Sequence, residues 1–266
     1  MSLIAFTSGA AAGLAVDLTL YPVDTIKTRL QSQQGFTATG GLKRLYAGIG
    51  PVLLGSAPGA AVFFATYETS KKLASHYNVS PVYSNMIAAS LGEVMACTVR
   101  VPVEVIKQRT QTSKGQQKSF SVLKSCLRNE GFFGLFRGYR STVIREIPFS
   151  FVQFPIWEEL KNRVKAYKNS TTLTPFEGGL CGFFAGGFSA AVTTPLDVAK
   201  TRIMLAKKED PAASGKVMQV LLRCVRNEGL SSIFSGILPR TVIISFGGFI
   251  FLGTYEQVKN ILENKS

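Results

Sequence analysis

The chain has 266 residues, 46% of them hydrophobic and only 17% charged, with a formal net charge of +14. A soluble domain holds about a quarter charged residues, so this balance points to a membrane protein and away from an ordinary soluble enzyme. Cysteines at 97, 126, 181 and 224 are too scattered for a disulfide framework or paired metal ligation, and His76 stands alone.

Six helices are predicted, over 3–31, 51–73, 82–110, 141–163, 174–203 and 239–262. The first contains Asp17 and ends on Pro22-x-Asp24-x-x-Lys27-x-Arg29, followed by Gln31. A loop closing on Gly48 leads to the second, which has no charge between Leu45 and Tyr67 and ends Tyr67-Glu68-x-x-Lys71. The third carries Glu93 and Arg100 and ends Pro102-x-Glu104-x-x-Lys107-x-Arg109, followed by Gln111. After Gly138 the fourth carries Arg145 and Glu146 and ends Trp157-Glu158-x-x-Lys161. The fifth runs without charge from Gly178 to Leu196 before Pro195-x-Asp197-x-x-Lys200-x-Arg202, and the sixth follows Gly236 and ends Tyr255-Glu256-x-x-Lys259. Stretches near 119–129 and 215–227 are amphipathic and suit a membrane surface.

These motifs make three copies of one unit, spanning 1–77, 78–169 and 170–266. The aromatic-acid-x-x-Lys block falls nineteen residues after its glycine in every copy. A fixed repeat specifies an array. Segments near 20 residues suit bilayer-spanning helices, and backbone satisfaction in lipid excludes open sheet. The expected fold is therefore an all-α membrane protein with six transmembrane helices in three tandem repeats, arranged with pseudo-threefold symmetry around a central cavity. An even helix number puts both termini on one side. Of the 30 Lys and Arg, 20 lie in segments 27–44, 107–140 and 200–240, which marks the other side as the inner compartment. No cleavable leader is expected, because helix begins almost at Met1. The glycine-rich run 178–187 lacks the strand context of a nucleotide loop and reads as close helix packing.

The repeated Pro-x-[Asp/Glu]-x-x-Lys-x-Arg motif, the glycine and the aromatic-acid-x-x-Lys block together resemble the mitochondrial carrier family over the whole chain. The resemblance implies an inner-membrane solute carrier with both termini toward the intermembrane space, working as a monomer by alternating access. It also implies a matrix gate in which Asp24 pairs with Lys107, Glu104 with Lys200 and Asp197 with Lys27. Gln31 and Gln111 would brace this gate from below, while Met204 stands where the third brace belongs; Gly40 replaces the acid of the other copies. Pro22, Pro102 and Pro195 would kink the odd helices toward one axis. A cytosolic gate would join Glu68, Glu158 and Glu256 to Lys71, Lys161 and Lys259, flanked by Tyr67, Trp157 and Tyr255. Segments 100–109, 145–155 and 247–253 are most similar to members that import S-adenosylmethionine in exchange for S-adenosylhomocysteine. A carrier for a basic amino acid is the alternative. The expected partners are a small-molecule substrate and membrane lipid, with cardiolipin on the matrix side, and no nucleic acid. No cofactor or metal is expected, S-adenosylmethionine being cargo.

Cargo lacks threefold symmetry, so residues that break the repeat should read it. Registered on the three glycines and stepped by four from the seventh residue after each, helix 2 offers Gly55, Gly59, Phe63; helix 4 offers Arg145, Phe149, Gln153; helix 6 offers Ile243, Gly247, Phe251. The resemblance makes Arg145 and Glu146 the contact for an amino-acid head, guanidinium for carboxylate and carboxylate for ammonium. The glycines leave room for a purine, with Phe63 and Phe251 as flat walls. Asp17 and Glu93 break the repeat in the odd helices and would attract a cation, since buried charge in a membrane helix faces a wet pathway by default. Arg100 is a second carboxylate contact or snorkels. A methyltransferase is disfavoured by the lack of a nucleophile, metal cluster or dinucleotide fingerprint, and a static scaffold by the doubled charge motifs.

Overall fold

The computed structural model describes residues 3–77, 81–113, 117–169, 173–206 and 210–263. Its α-helices are α1 (Leu3–Gln31), α2 (Ile49–His76), α3 (Pro81–Gln111), α4 (Ser119–Glu130), α5 (Tyr139–Lys168), α6 (Pro175–Val192), α7 (Thr194–Leu205), α8 (Val217–Glu228) and α9 (Ile237–Glu263). α1 and α3 run through Pro22 and Pro102 as continuous helices. The predicted fifth helix is instead two, α6 and α7, bent by 63°. α6 begins with a capping box, Thr174 and Glu177 each satisfying the other's backbone N–H.

The long helices close a ring. α2 packs on α3, α5 on α6, and α9 on both α6 and α1. Burial concentrates at the end bearing the proline motifs. There Cys97, Val101, Val105 and Met204 form one apolar cluster with Tyr139 and Val143, tying α3, α5 and α7 together. α4 is held on α3 through Ile106, Val122 and Cys126, and α8 on α7 through Ala199, Ile203, Val220 and Cys224. Both short helices show apolar residues outward, Phe120 and Leu127 on α4 and Met218 and Leu222 on α8. Repeat 1 has turns rather than a helix at this place.

Two repeated contacts lock the copies in a cycle. Gly48, Gly138 and Gly236 have φ of +86°, +88° and +75°, a region that favours glycine. Each also lies against another repeat: a Cβ on Gly48 would be 3.0 Å from the Lys107 carbonyl, on Gly138 2.7 Å from Met204, and on Gly236 3.3 Å from the Lys27 carbonyl. The motif arginines complete the cycle. Arg29 Nε donates to the Gln111 carbonyl at 2.9 Å, Arg109 Nε to Met204 at 3.1 Å and Arg202 Nε to Gln31 at 3.2 Å. Arg109 and Arg202 are also forked by Glu130 and Glu228. Where Gly40 replaces that glutamate, Arg29 turns to the carbonyls of Gly41 and Lys43.

By length and composition alone, among the described residues, α2 and the helix ending the third repeat are apolar enough to cross a membrane, as is the α6–α7 pair taken as one bent span. The other long helices carry the charges that face inward. Across α2 the apolar window is 0% buried within the protein, and Leu54 on it is exposed.

Candidate functional site

Three inter-repeat ion pairs cross the motif end of the bundle: Lys107 Nζ to Asp24, Lys200 Nζ to Glu104 and Lys27 Nζ to Asp197, each 2.7 Å. Acid and lysine lie three residues apart, on nearly the same face of each helix, so every odd helix offers both partners to the centre. Each carboxylate finds the lysine of another copy.

The ring is not symmetric beneath these pairs. Gln31 donates to Asp197 at 2.9 Å and accepts from Thr201 at 2.7 Å. Gln111 donates to Asp24 at 3.3 Å and to Thr25 at 3.0 Å. Met204 lies in the apolar cluster, and Glu104 instead accepts from Gln108, one turn along its own helix, at 3.0 Å. The third pair thus has a donor that the sequence reading did not assign. Asp197 carries a further load: Arg240 Nη1 lies 3.0 Å and Arg145 Nε 3.8 Å from its Oδ1. Sequence reasoning missed Arg240. It falls four residues after Gly236, where the other copies have Val52 and Thr142, so the same rule of broken symmetry would have found it.

Above the ring lies a cavity of about 700 Å³, lined by Asp17, Gly55, Gly59, Phe63, Glu93, Arg100 and Arg145, with the ring residues and Arg240 as its floor. Arg145 is paired with Glu146. Arg100 is not free for a substrate carboxylate in this arrangement; it holds Glu93 at 2.5 Å, a pairing seven residues apart along α3. Asp17 accepts from Ser56 at 3.3 Å and, among the described residues, has no cation within ion-pair distance.

A second space of about 600 Å³ opens between α1, α5, α6 and α9, lined by Gln153, Trp157, Gly182, Gly247 and Phe251 among others. Asp17 and Ile244 line both spaces. Phe149 and Glu146 line neither. Of the glycines expected to give room, Gly59 faces open space, whereas a Cβ on Gly55 would collide with Val103. Gly55 therefore serves the approach of α2 to α3. Phe63 is stacked on Tyr67 at 6.1 Å and presses on Gly92, so its ring is packed between helices as well as exposed to the cavity.

The opposite end is not closed by such pairs among the described residues. Lys161 pairs with Glu158 of its own helix at 2.7 Å and lies 3.7 Å from the Trp157 ring centroid. Lys71 lies 5.8 Å from the Tyr67 ring. Among the described residues no inter-repeat ion pair joins Glu68, Lys71, Glu158 or Lys161. The side chains of Tyr255, Glu256 and Lys259 lie outside the described residues. One end is thus sealed by ion pairs and glutamines, whereas Lys71 and Lys161 at the other turn back on their own helices.

The family model for mitochondrial carrier proteins matches residues 2–78, 78–168 and 171–266. The chain is 53% identical to the mitochondrial S-adenosylmethionine carrier protein of Danio rerio over 96% of both chains. It is 52% identical to that of Xenopus tropicalis, over 96% of this chain and 94% of the relative. An S-adenosylmethionine mitochondrial carrier protein homolog of Drosophila melanogaster is 46% identical over 97% and 92%. Three matched repeats, a closed ring of inter-repeat ion pairs and near full-length similarity to carriers lead to one conclusion: this chain belongs to the mitochondrial carrier family.

Proposed function

We propose that the chain imports S-adenosylmethionine across the mitochondrial inner membrane in exchange for S-adenosylhomocysteine, by alternating access. The supporting observation is the sorting of charge around the cavity. S-adenosylmethionine carries a carboxylate, an ammonium and a sulfonium. Arg145, which lines the cavity, suits the carboxylate of the zwitterionic head, while Asp17 is a cavity carboxylate with no cation within ion-pair distance among the described residues. Asp17 stands where the two spaces meet, as the sulfonium stands between the amino-acid chain and the adenosyl group. The glycine-lined second space then takes the purine, with Trp157 and Phe251 as apolar walls and Gln153 as a hydrogen-bonding edge. Glu93, engaged by Arg100, is a supporting charge.

In this reading the closed ring is the matrix gate, and the structure is the state open toward the cytosol. The connecting segments, rich in Lys and Arg, lie on the matrix side and both termini face the intermembrane space, in keeping with the distribution of basic residues. One chain encloses the whole pathway, so a monomer suffices. α4 and α8, apolar outward and flanked by bases, rest on the inner leaflet, where cardiolipin is the natural anionic partner.

The test is exchange in vesicles loaded with S-adenosylhomocysteine, wild type against Asp17→Asn. Losing one partner of a desolvated charge pair costs about 2–5 kcal/mol. Asp17→Asn should therefore weaken the sulfonium substrate by tens-fold or more while sparing the neutral thioether. Equal losses remove the sulfonium assignment, and uptake of lysine or arginine without S-adenosylmethionine replaces the cargo with a basic amino acid.

A further inference from the structure

We infer that Arg145 and Arg240 together form the seat of the substrate carboxylate, and that Asp197 occupies this seat until cargo displaces it, so that binding releases α7. The inference rests on an amino-acid cargo, as proposed above. Its starting point is a division of labour within one carboxylate. Oδ2 of Asp197 takes Lys27 at 2.7 Å and Gln31 at 2.9 Å, the same kind of contacts that Asp24 receives from Lys107 and Gln111. Oδ1 has no counterpart elsewhere in the ring: it faces Arg240 at 3.0 Å and Arg145 at 3.8 Å. The first pair of contacts belongs to the repeated gate. The second is an addition peculiar to repeat 3.

Those two arginines are incompletely satisfied. Nε of Arg145 and Nε of Arg240 are both buried without a hydrogen-bond partner, and the Arg240 side chain is only 1% exposed. A buried guanidinium N–H without an acceptor is costly. Two forks sharing one carboxylate oxygen have capacity left for an acceptor with two oxygens of its own. Both arginines line the main cavity, so an incoming carboxylate reaches them from above. Replacing Oδ1 by a substrate oxygen exchanges one carboxylate for another and conserves charge at the site.

Arg240 also ties down the break in the third odd helix. Its Nη2 donates to Thr193 Oγ1 at 2.9 Å and its Nη1 to the Thr193 carbonyl at 3.4 Å. Thr193 is the single residue between α6 and α7, which meet at 63°. One side chain on α9 thus spans the hinge and the gate carboxylate of α7, while Arg145 reaches the same carboxylate from α5. A substrate carboxylate that draws both arginines toward the cavity frees Asp197 of α7 from two neighbours at once and leaves that carboxylate on Lys27 and Gln31. A ligand can shift such an equilibrium only through contacts that differ between the two states, and this competition supplies the difference. Cargo without a carboxylate fits the cavity but leaves the fastening in place.

The experiment compares S-adenosylmethionine with its decarboxylated form in reconstituted vesicles. For wild type, the decarboxylated compound should compete for uptake yet be exchanged at least about ten-fold more slowly, a loss of maximal rate rather than of half-saturation. Arg240→Gln should lower S-adenosylmethionine exchange by about ten-fold or more and bring the two solutes toward equal rates. Arg240→Lys, which keeps the charge but not the fork, gives the same trend if the glutamine variant fails to fold. Wild-type exchange of the decarboxylated compound as fast as S-adenosylmethionine overturns the inference. So does an Arg240→Lys protein that slows both solutes by one common factor, since that marks a merely structural arginine. Absence of S-adenosylmethionine uptake by wild type instead overturns the cargo reading, and lysine against cadaverine then makes the same comparison.

Discussion

Each lysine of the ring sits 2.7 Å from a carboxylate in a different repeat, so charge order rather than side-chain identity should sustain the proposed gate. Asp24→Lys combined with Lys107→Asp is expected to recover more exchange than either single change, because each single variant leaves two like charges facing one another. A double variant no better than the singles separates this pair from the gate. Gln108 gives a second test. Gln108→Ala removes the neutral donor under Glu104, a bond worth about 0.5–1.5 kcal/mol. It should lower the melting temperature modestly and loosen only the Lys200 pair; an unchanged melting curve would deny it that role. The acids, lysines and glutamines of the ring were legible because they recur at fixed spacing. Gln108 was not, since a polar residue stands at its place in every copy, as Thr28 and Thr201, and Arg240 was passed over although it breaks the repeat. Arg145 and Asp17 could be picked out as breaks in the pattern, but the sharing of Asp197 between Lys27, Arg145 and Arg240 depends on how the helices converge.

Among the odd helices only the third is broken, although all three contain the motif proline, so proline alone does not explain the bend. Thr193 and Thr194 supply the reason. Their hydroxyls donate to the carbonyls of Ser189 and Ala190, each at 2.7 Å, and such back-bonding bends helices. α1 and α3 place Leu20-Tyr21 and Arg100-Val101 before their prolines. Thr193→Val should therefore straighten the junction, deprive Arg240 of its hydroxyl acceptor and slow exchange of every cargo. Unaltered exchange would detach the bend from transport. The run of helices was readable from hydropathy and the repeat, and the amphipathic stretches proved to be α4 and α8. A single fifth helix was expected because periodicity records apolar faces and is blind to a local contest for carbonyls. α4 and α8 carry one further expectation. Burial pushes the Cys126 and Cys224 thiols up from their ordinary value, so less thiolate is present at neutral pH. Maleimide labelling should be slow there and quicken as pH rises through the raised values or when the protein unfolds; rapid labelling of the folded protein at neutral pH would contradict the packing of these helices on α3 and α7.

The molecule as a whole is closed at one end by bonds between repeats and, among the described residues, lacks them at the other. An ion-pair ring is suited to a reversible closure, since its partners can return to water-filled surroundings when it parts. Yet the charges that make the cavity wet burden its assembly. Only α2, the helix ending the third repeat and the α6–α7 pair are apolar enough to enter lipid alone, among the described residues. α3 carries Glu93 and Arg100, and α5 carries Arg145 and Glu146. A single charge at the centre of a membrane helix costs about 2.5–3.5 kcal/mol on insertion scales. Their entry into lipid is eased where each charge has its counter-ion at hand, as Arg100 has Glu93 within α3 and Arg145 has Glu146 within α5. The wetness that makes a transport path thus dictates that the path be built around its own counter-ions.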